Sequence, residues 1–322
     1  MRRLLSSLTI LAVVAGTGSA QTQQSGSEGS LFLLLPTGAQ AVGMGQAMAA
    51  SKPGSEGVWW NPASLGGLDK KELAIHHSTT IAGVGDALSF VAPFNKYATA
   101  ALSINILNLG TQDITDSGGG ILGTAFPRDV VFAGSYAGQF STRLTAGLNY
   151  KIVQLRVDCS GQCSSIGPEV QSTRAVDLGA QYRVEAGAPL TFGAAVRSLG
   201  GRLNSTETNR RQSLPTQVEV GALYRLKFID RYVKDTQLHA AASFINSRGF
   251  GGKSVRFGAD ATYQDKVHLR AGFVGHDQLN DASAALGFGL QSGGFVFDIA
   301  RTFGGLPSEN GAPVYVSLRY LF

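Results

Sequence analysis

Cysteine is scarce, at two in 322 residues, which excludes a disulfide scaffold. Charge is scarce too: Asp, Glu, Lys and Arg make up 15%. A chain with a low charge and 43% hydrophobic residues is not disordered, and without a Lys/Arg run it carries no signal for nucleic acid. Beyond the extreme N-terminus no apolar run approaches the ~18 residues of a membrane helix. The mean hydropathy is nevertheless +0.06, high for a soluble protein. What is abundant is glycine, 42 residues, nearly twice the usual ~7% and without the three-residue period of collagen.

Residues 1–20 have the layout of a secretory signal. Arg2 and Arg3 are followed by the apolar Leu8–Ala15, then by the small residues Gly18, Ser19 and Ala20 before Gln21. No cysteine stands at the expected cut, so no lipoprotein is expected. Removal takes away two arginines and no acid, lowering the formal charge from +5 to +3. The expected organisation is a signal at 1–20, a separate N-terminal segment at 21–70 and a strand-rich body at 71–322.

From about residue 71 onward apolar and polar residues alternate. In one stretch Leu144, Ala146, Leu148, Tyr150 and Ile152 oppose Arg143, Thr145, Gly147, Asn149 and Lys151; in another Val255, Phe257, Ala259, Ala261 and Tyr263 oppose Arg256, Gly258, Asp260, Thr262 and Gln264. About 14 such segments are present, most of them near the ~9–11 residues that a tilted strand needs to cross a bilayer. Connections after even-numbered segments are mostly short (Asn95-Lys96, Asp265, Gln291–Gly293). After odd-numbered ones several are long and polar, at 110–127, 156–172, 199–214 and 302–312. Sorting of loops by parity predicts an all-β, 14-stranded antiparallel transmembrane β-barrel with both termini on its short-turn side. The turn Phe228–Asp235 is the exception, long where a short one is expected.

Aromatics stand near the segment ends, as interfacial girdles require. The last segment ends on Tyr320 and Phe322, resembling the C-terminal signal read by bacterial barrel-assembly machinery. Many glycines fall on the inward parity (Gly147, Gly179, Gly193, Gly221, Gly258, Gly272), leaving room for whatever fills the lumen. The inward basic candidates are Arg143, Lys151, Arg183, Arg197, Arg225, Lys227, Arg256, Lys266, Arg270 and Arg319. The inward acids are Asp177, Glu185, Glu219, Asp260 and Asp298. Two readings follow: an anion-preferring path, or, favoured here, a salt-bridged wall gripping an N-terminal plug.

Residues 29–68 do not alternate. Leu31–Leu35 is apolar, Pro36–Gly38 breaks it, and Ala39–Ala50 has the composition of a small-residue helix. Such a segment serves best as a plug in the lumen, the alternatives being a periplasmic extension or a linker. The pattern "GAxAVGMGxA" (Gly38, Ala39, Ala41, Gly43, Met44, Gly45, Ala47) and then "WNPAxL" (Trp60, Asn61, Pro62, Ala63, Leu65) before the first strand resembles the PorV/PorQ family. These proteins are relatives of FadL-type outer-membrane transporters. The resemblance covers about 40 residues and departs from the family at Gln40, where Arg is frequent, and at Ser51–Gly54, where acids are. It implies a 14-stranded barrel in the bacterial outer membrane acting as an accessory of type IX-like secretion, in contact with secreted cargo or a translocon. The alternative is a FadL-like transporter of hydrophobic small molecules, with Leu31–Leu35 and Met44 along the path.

No catalytic, cofactor or metal motif stands out, and no enzymatic activity is expected. A Ser243/His239/Asp260 set is the nearest approach to a hydrolase constellation, with His239 and His268 expected to face the lumen. Cys159 and Cys163 lie in a long loop and, in an exported chain, fit a small loop-closing disulfide better than a metal site.

Overall fold

The structure, a computed structural model, describes residues 29–162, 169–184, 189–204, 211–248, 252–277, 281–304 and 312–322. The expected signal at 1–20, Cys163, Glu185 and parts of the long connections lie outside the described residues.

Fourteen strands form one closed antiparallel barrel. They are β1 (Glu72–Thr80), β2 (Gly83–Asn95), β3 (Ala98–Asn108), β4 (Ile121–Gln139), β5 (Leu144–Gly161), β6 (Glu169–Arg183), β7 (Leu190–Gly200), β8 (Gln217–Arg225), β9 (Thr236–Ser247), β10 (Lys253–Tyr263), β11 (Val267–His276), β12 (Asp281–Ser292), β13 (Phe295–Gly304) and β14 (Val314–Leu321). Each pairs with its neighbours in sequence, and β1 closes the ring on β14, with Glu72 opposite Leu321 and Thr79 opposite Val314. Closure leaves no sheet edge, which is the only way a β-structure satisfies its backbone in hydrocarbon.

The period of two becomes two faces. Val255 and Phe257 are exposed while Arg256, Gly258 and Asp260, on the opposite parity, are buried. Leu102, Ile75, Leu286 and Phe273 also point outward and are exposed. This inversion, with apolar side chains outside and polar ones within, suits lipid on the outside. No described helix is long and apolar enough to cross a membrane, which says nothing of a β-barrel.

The rim bearing the start of β1 and the C-terminal Phe322, here the terminal rim, has tight turns. Of the two chain ends expected there, only the C-terminal one is found among the described residues, for Gly29, the first of them, lies at the opposite rim. At Gln264 and Asp265 both φ values are positive (51° and 54°), as a two-residue hairpin with matching twist requires. The exception read from the sequence is real, for residues Lys227–Arg231 form a short 3-10 turn before β9. Two expected loops are corrected. Ile121–Pro127 and Arg156–Gly161 are strand, paired from Gly123–Gly161 through Arg128–Arg156, and carry the β4–β5 hairpin beyond the end of β3. Backbone pairing continues there while the alternation lapses, with Ile121 and Leu122 both exposed, so the pattern that marks strands fades. Short strands at Gln112–Thr115, Arg202–Asn204 and Arg211–Ser213 likewise occupy stretches read as loop.

Candidate functional site in the barrel interior

The N-terminal segment runs from one rim to the other against the inward face. At the far rim Gly29 donates its N–H to the Ser213 carbonyl at 3.0 Å, and at the terminal rim Lys71 and Phe322 exchange backbone hydrogen bonds. Between them lie short helical turns: Leu31–Leu34, Ala39–Gly43, Gly54–Glu56, Gly57–Trp60 and Pro62–Leu65. The helix expected over Ala39–Ala50 ends at Gly43. Gly45 and Gln46 both take positive φ (56° and 59°), turning the chain along the wall.

Inward glycines set how close the segment comes. Three pairs sit opposite each other on adjacent strands: Gly147 and Gly179, Gly193 and Gly221, Gly258 and Gly272. A Cβ on Gly193 would lie 1.9 Å from the Ala49 carbonyl oxygen, and one on Gly272 would lie 2.0 Å from the Gly45 nitrogen. On Gly258 it would meet the Met44 oxygen at 2.3 Å, and on Gly147 the Pro62 oxygen at 2.5 Å. The segment's backbone therefore rests directly on sheet backbone.

Side chains fasten what the glycines admit. Asn61 Nδ2 donates to the Ala49 carbonyl at 2.6 Å, while its Oδ1 accepts the Ala63 N–H at 3.0 Å and caps the next turn. Gln181 Nε2 donates to the carbonyls of Ala49 (3.1 Å) and Ser51 (2.9 Å), Asn149 to that of Val58 (2.7 Å), and Arg197 to that of Trp59 (3.1 Å). Arg319 reaches the Pro53 carbonyl at 3.0 Å. The guanidinium carbons of Arg197 and Arg256 lie 5.1 Å and 5.7 Å from the Trp60 ring centre, within cation–π range.

The wall charges largely neutralise one another. Arg270 contacts Asp260 at 2.6 Å and Asp298 at 2.5 Å, and Arg319 reaches the other Asp298 oxygen at 2.9 Å. Lys151 pairs with Asp177 at 2.5 Å, and Arg197 faces Glu219 at 3.5 Å. The expected excess of inward positive charge is corrected. Arg143, Arg183 and Lys266 are exposed near or in the terminal-rim turns, and Lys227 belongs to the 3-10 turn rather than to a strand. Alternation counted past the strand ends assigned them inward. Missed acids also redress the balance: Glu56, Glu72 and Asp129 are buried. Glu72 is the first residue of β1, and Glu56 sits in the segment without periodicity, so parity marked neither.

Glu56 is the one buried charge contributed by the described segment. Its carboxylate accepts the N–H groups of Gln40 (3.2 Å) and Ala41 (2.8 Å), tying two limbs of the segment together. His76 Nδ1 lies 3.9 Å from Oε1, and Ser317 Oγ bridges the two. Burial pushes the Glu56 carboxyl up to about 7 against the opposing pull of Arg319. Partial desolvation against the wall and the nearby Arg183 charge lower the Lys52 ammonium, which donates to the Gly66 carbonyl at 3.0 Å although the side chain reaches solvent.

Toward the far rim Phe32, Leu33, Leu35, Trp59, Trp60 and Val131 enclose a cavity of about 30 Å³, with Lys151, Arg197 and Ser198 also in its lining. A second of about 20 Å³ lies between Phe32–Gly38 and β1–β3. Met44 is not in the lining of either; it packs in the buried apolar cluster with Trp59 and Trp60. Ser243 and His239 stand four residues apart on β9, roughly 13 Å at strand rise, so the hydrolase set is not assembled. His268 instead touches Thr262 at 2.9 Å, beside Asp260. No cluster of three or more potential metal ligands occurs among the described residues. Cys159 stands near the far-rim end of β5.

No family model and no curated protein matches the chain. Solved structures do. The Pseudomonas putida toluene transporter TodX is 12% identical with a TM-score of 0.62, covering 88% of this chain and 98% of its own. The Ralstonia pickettii toluene transporter TbuX is 14% identical with a TM-score of 0.55, covering 88% and 97%. A Pseudomonas aeruginosa FadL homologue gives 14% and 0.55, covering 89% and 98%. The chain has the FadL-like barrel fold; the PorV/PorQ resemblance rests on its N-terminal motifs alone.

Proposed function

We propose that this protein is a FadL-like transporter in the bacterial outer membrane that passes hydrophobic small molecules, with residues 21–70 as its plug and 1–20 as its export signal. The terminal rim then faces the periplasm. Tyr320, stacked on Phe322 with ring centres 5.4 Å apart, completes the signal for barrel assembly. The observation that carries the reading is the apolar limb Phe32–Leu35, held with Trp59 and Trp60 around a cavity inside the far half of the barrel. The lining is mixed: Thr37, Asn105, Lys151, Arg197 and Ser198 share it, and an apolar molecule meets apolar surface there on the side of Phe32–Leu35 and the two tryptophans. No catalytic group is assigned, and the same molecules leave as enter.

At about 30 Å³ the cavity has room for water but is far smaller than the ~150 Å³ site that a benzene-sized guest occupies. Passage therefore requires the Phe32–Leu35 limb to shift. Trp59 and Trp60 are the chain's only tryptophans, so intrinsic fluorescence reads this site directly. Titrating toluene into the detergent-solubilised protein is expected to give a saturable change that diminishes in Trp60→Phe. A flat titration, together with no toluene uptake by proteoliposomes, refutes the reading.

A second reading, an accessory of type IX-like secretion, draws on the N-terminal resemblance and on the β4–β5 hairpin, which extends past its neighbour and exposes Ile121 and Phe126. Co-purification with sorting-domain cargo or a translocon, lost on trimming that hairpin, supports it over transport.

A further inference from the structure

The long turn between β8 and β9 is foreign to the terminal rim, and its side chains are unusual for one in water. Tyr232 is 81% exposed, Phe228 56% and Val233 48%. Tyr224 and Tyr263, on the outward faces of β8 and β10, flank it and are exposed as well. Aromatics with an apolar body and a polar tip gather where hydrocarbon gives way to headgroups. Cations accompany them: Arg231 and Lys234 in the turn and Lys266 in the next hairpin are all exposed.

Beside these cations a polar cleft of about 440 Å³ lies between the two turns, lined by Arg225, Asp235, Thr236, Gln237, Gln264 and Asp265. The turns are tied across it, for Gln264 donates its N–H to the Asp235 carbonyl at 2.7 Å and Gln237 Nε2 donates to Asp265 at 2.9 Å. Around the whole rim exposed cations, with Lys70, Lys71 and Lys96 among them, outnumber the exposed carboxylates Asp69, Asp235 and Asp265 among the described side chains.

We infer that this turn is a binding foot for an anionic phospholipid, phosphatidylglycerol in chemistry, in the leaflet on the side of the terminal rim. The phosphate is met by Arg231, Lys234 and Lys266. The carboxylates and amides of the cleft accept hydrogen bonds from the headgroup hydroxyls, and Phe228 and Tyr232 lie against the glycerol–acyl boundary. A zwitterionic choline headgroup has no net charge for the cations and no hydroxyl for the cleft. The inference rests on the membrane placement proposed above, and not on transport.

The test uses the full chain in detergent, with lipid retention followed by native mass spectrometry during titration with phosphatidylglycerol or phosphatidylcholine. Wild type is expected to keep phosphatidylglycerol preferentially. Each cation removed is expected to weaken retention about fivefold, so the Arg231→Gln/Lys234→Gln double variant loses on the order of 30-fold. Exchanging far-rim cations, Arg174→Gln/Arg202→Gln, leaves retention unchanged. Heat-modifiable gel migration of each preparation reports the barrel itself. Loss of that shift in wild type sinks the membrane reading. An intact shift with equal retention of both lipids, or with a double variant that behaves as wild type, overturns the foot alone. A soluble protein that binds the turn and is displaced by neither lipid also overturns it.

Discussion

Gly193→Ala tests whether the N-terminal segment is held by direct backbone contact. The new methyl would stand 1.9 Å from the Ala49 carbonyl oxygen and 2.3 Å from its carbon. Ordinary contact begins more than 1 Å farther out, so the segment must move. That oxygen also accepts hydrogen bonds from Asn61 (2.6 Å) and Gln181 (3.1 Å), and a shift of this size disrupts both. Overpacking costs ~1–3 kcal/mol and each lost hydrogen bond ~1 kcal/mol. The docked state therefore loses on the order of 3 kcal/mol, about two powers of ten in its ratio to the displaced state. Acrylamide quenching of Trp59 and Trp60 should rise steeply, and single-channel conductance in planar bilayers should rise with it. Gly134→Ala is the matched control, since Gly134 has nothing within 4 Å of its Cβ position. Unchanged quenching and conductance in Gly193→Ala, with the barrel intact, refutes the reasoning; so does an equal effect from Gly134→Ala.

Three further predictions concern the same segment and the hairpin above it. Docking should depend on pH through Glu56. Its carboxyl titrates at about 7 when docked and near 4.5 when free, so its own contribution to docking is full below pH 4.5 and is lost as pH rises through about 7, by on the order of 3 kcal/mol. Arg270, Arg319 and Asp298 stay paired in the wall in both states, whereas His76, covered by the segment beside Glu56, is itself titratable. The difference between the quenching profiles of wild type and Glu56→Gln therefore isolates the carboxyl; profiles that coincide between pH 5 and 8 refute the role given to Glu56. Asn61→Ala leaves the Ala63 N–H and part of the demand of the Ala49 carbonyl unmet, at a cost of about 2 kcal/mol in docking; it should expose the tryptophans to quencher less than Gly193→Ala does, and an effect indistinguishable from wild type contradicts the role given to that side chain. In unreduced protein Cys159 and Cys163 are expected to form a bridge, so a thiol assay should find none reactive, and two reactive thiols reject it.

The barrel was legible because lipid imposes a pattern on sequence. Each strand in the hydrocarbon must turn one face outward, and Val255, Phe257 and Ala259 against Arg256, Gly258 and Asp260 record it in single residues. Where the lipid stops, the record stops. Ile121–Pro127 and Arg156–Gly161 pair as well as the rest of their strands, yet read as loop. Inside, parity told which wall residues face inward but not what they meet. Gly193 and Gly272 were read as room for a filling, while the partners Ala49 and Gly45 became visible only in three dimensions. Glu56 left no trace, because neither a period nor a motif marks a carboxylate whose role is to join Gln40 and Ala41 to the wall beside His76.

The distribution of charge bears on whether such a segment can leave. Asp260, Arg270, Asp298 and Arg319 are paired with one another across β10, β11, β13 and β14, and Lys151 with Asp177 across β5 and β6. These pairs belong to the wall and persist when the segment departs. What the segment receives is mostly hydrogen bonds to its carbonyls, at Ala49, Ser51, Pro53, Val58 and Trp59. Water entering the lumen replaces such bonds at small net cost, because both partners find new ones. A segment fastened by its own buried ion pairs would behave otherwise, since removal would strand a charge in the wall at several kcal/mol each. Only Glu56 departs from this rule, and its elevated titration lets it leave as a hydrated carboxylate once the pH rises past about 7. A wall neutral in itself, glycines that admit bare backbone and a segment held through its carbonyls amount to a fastening that water can undo, as the proposed transport through a cavity of about 30 Å³ demands.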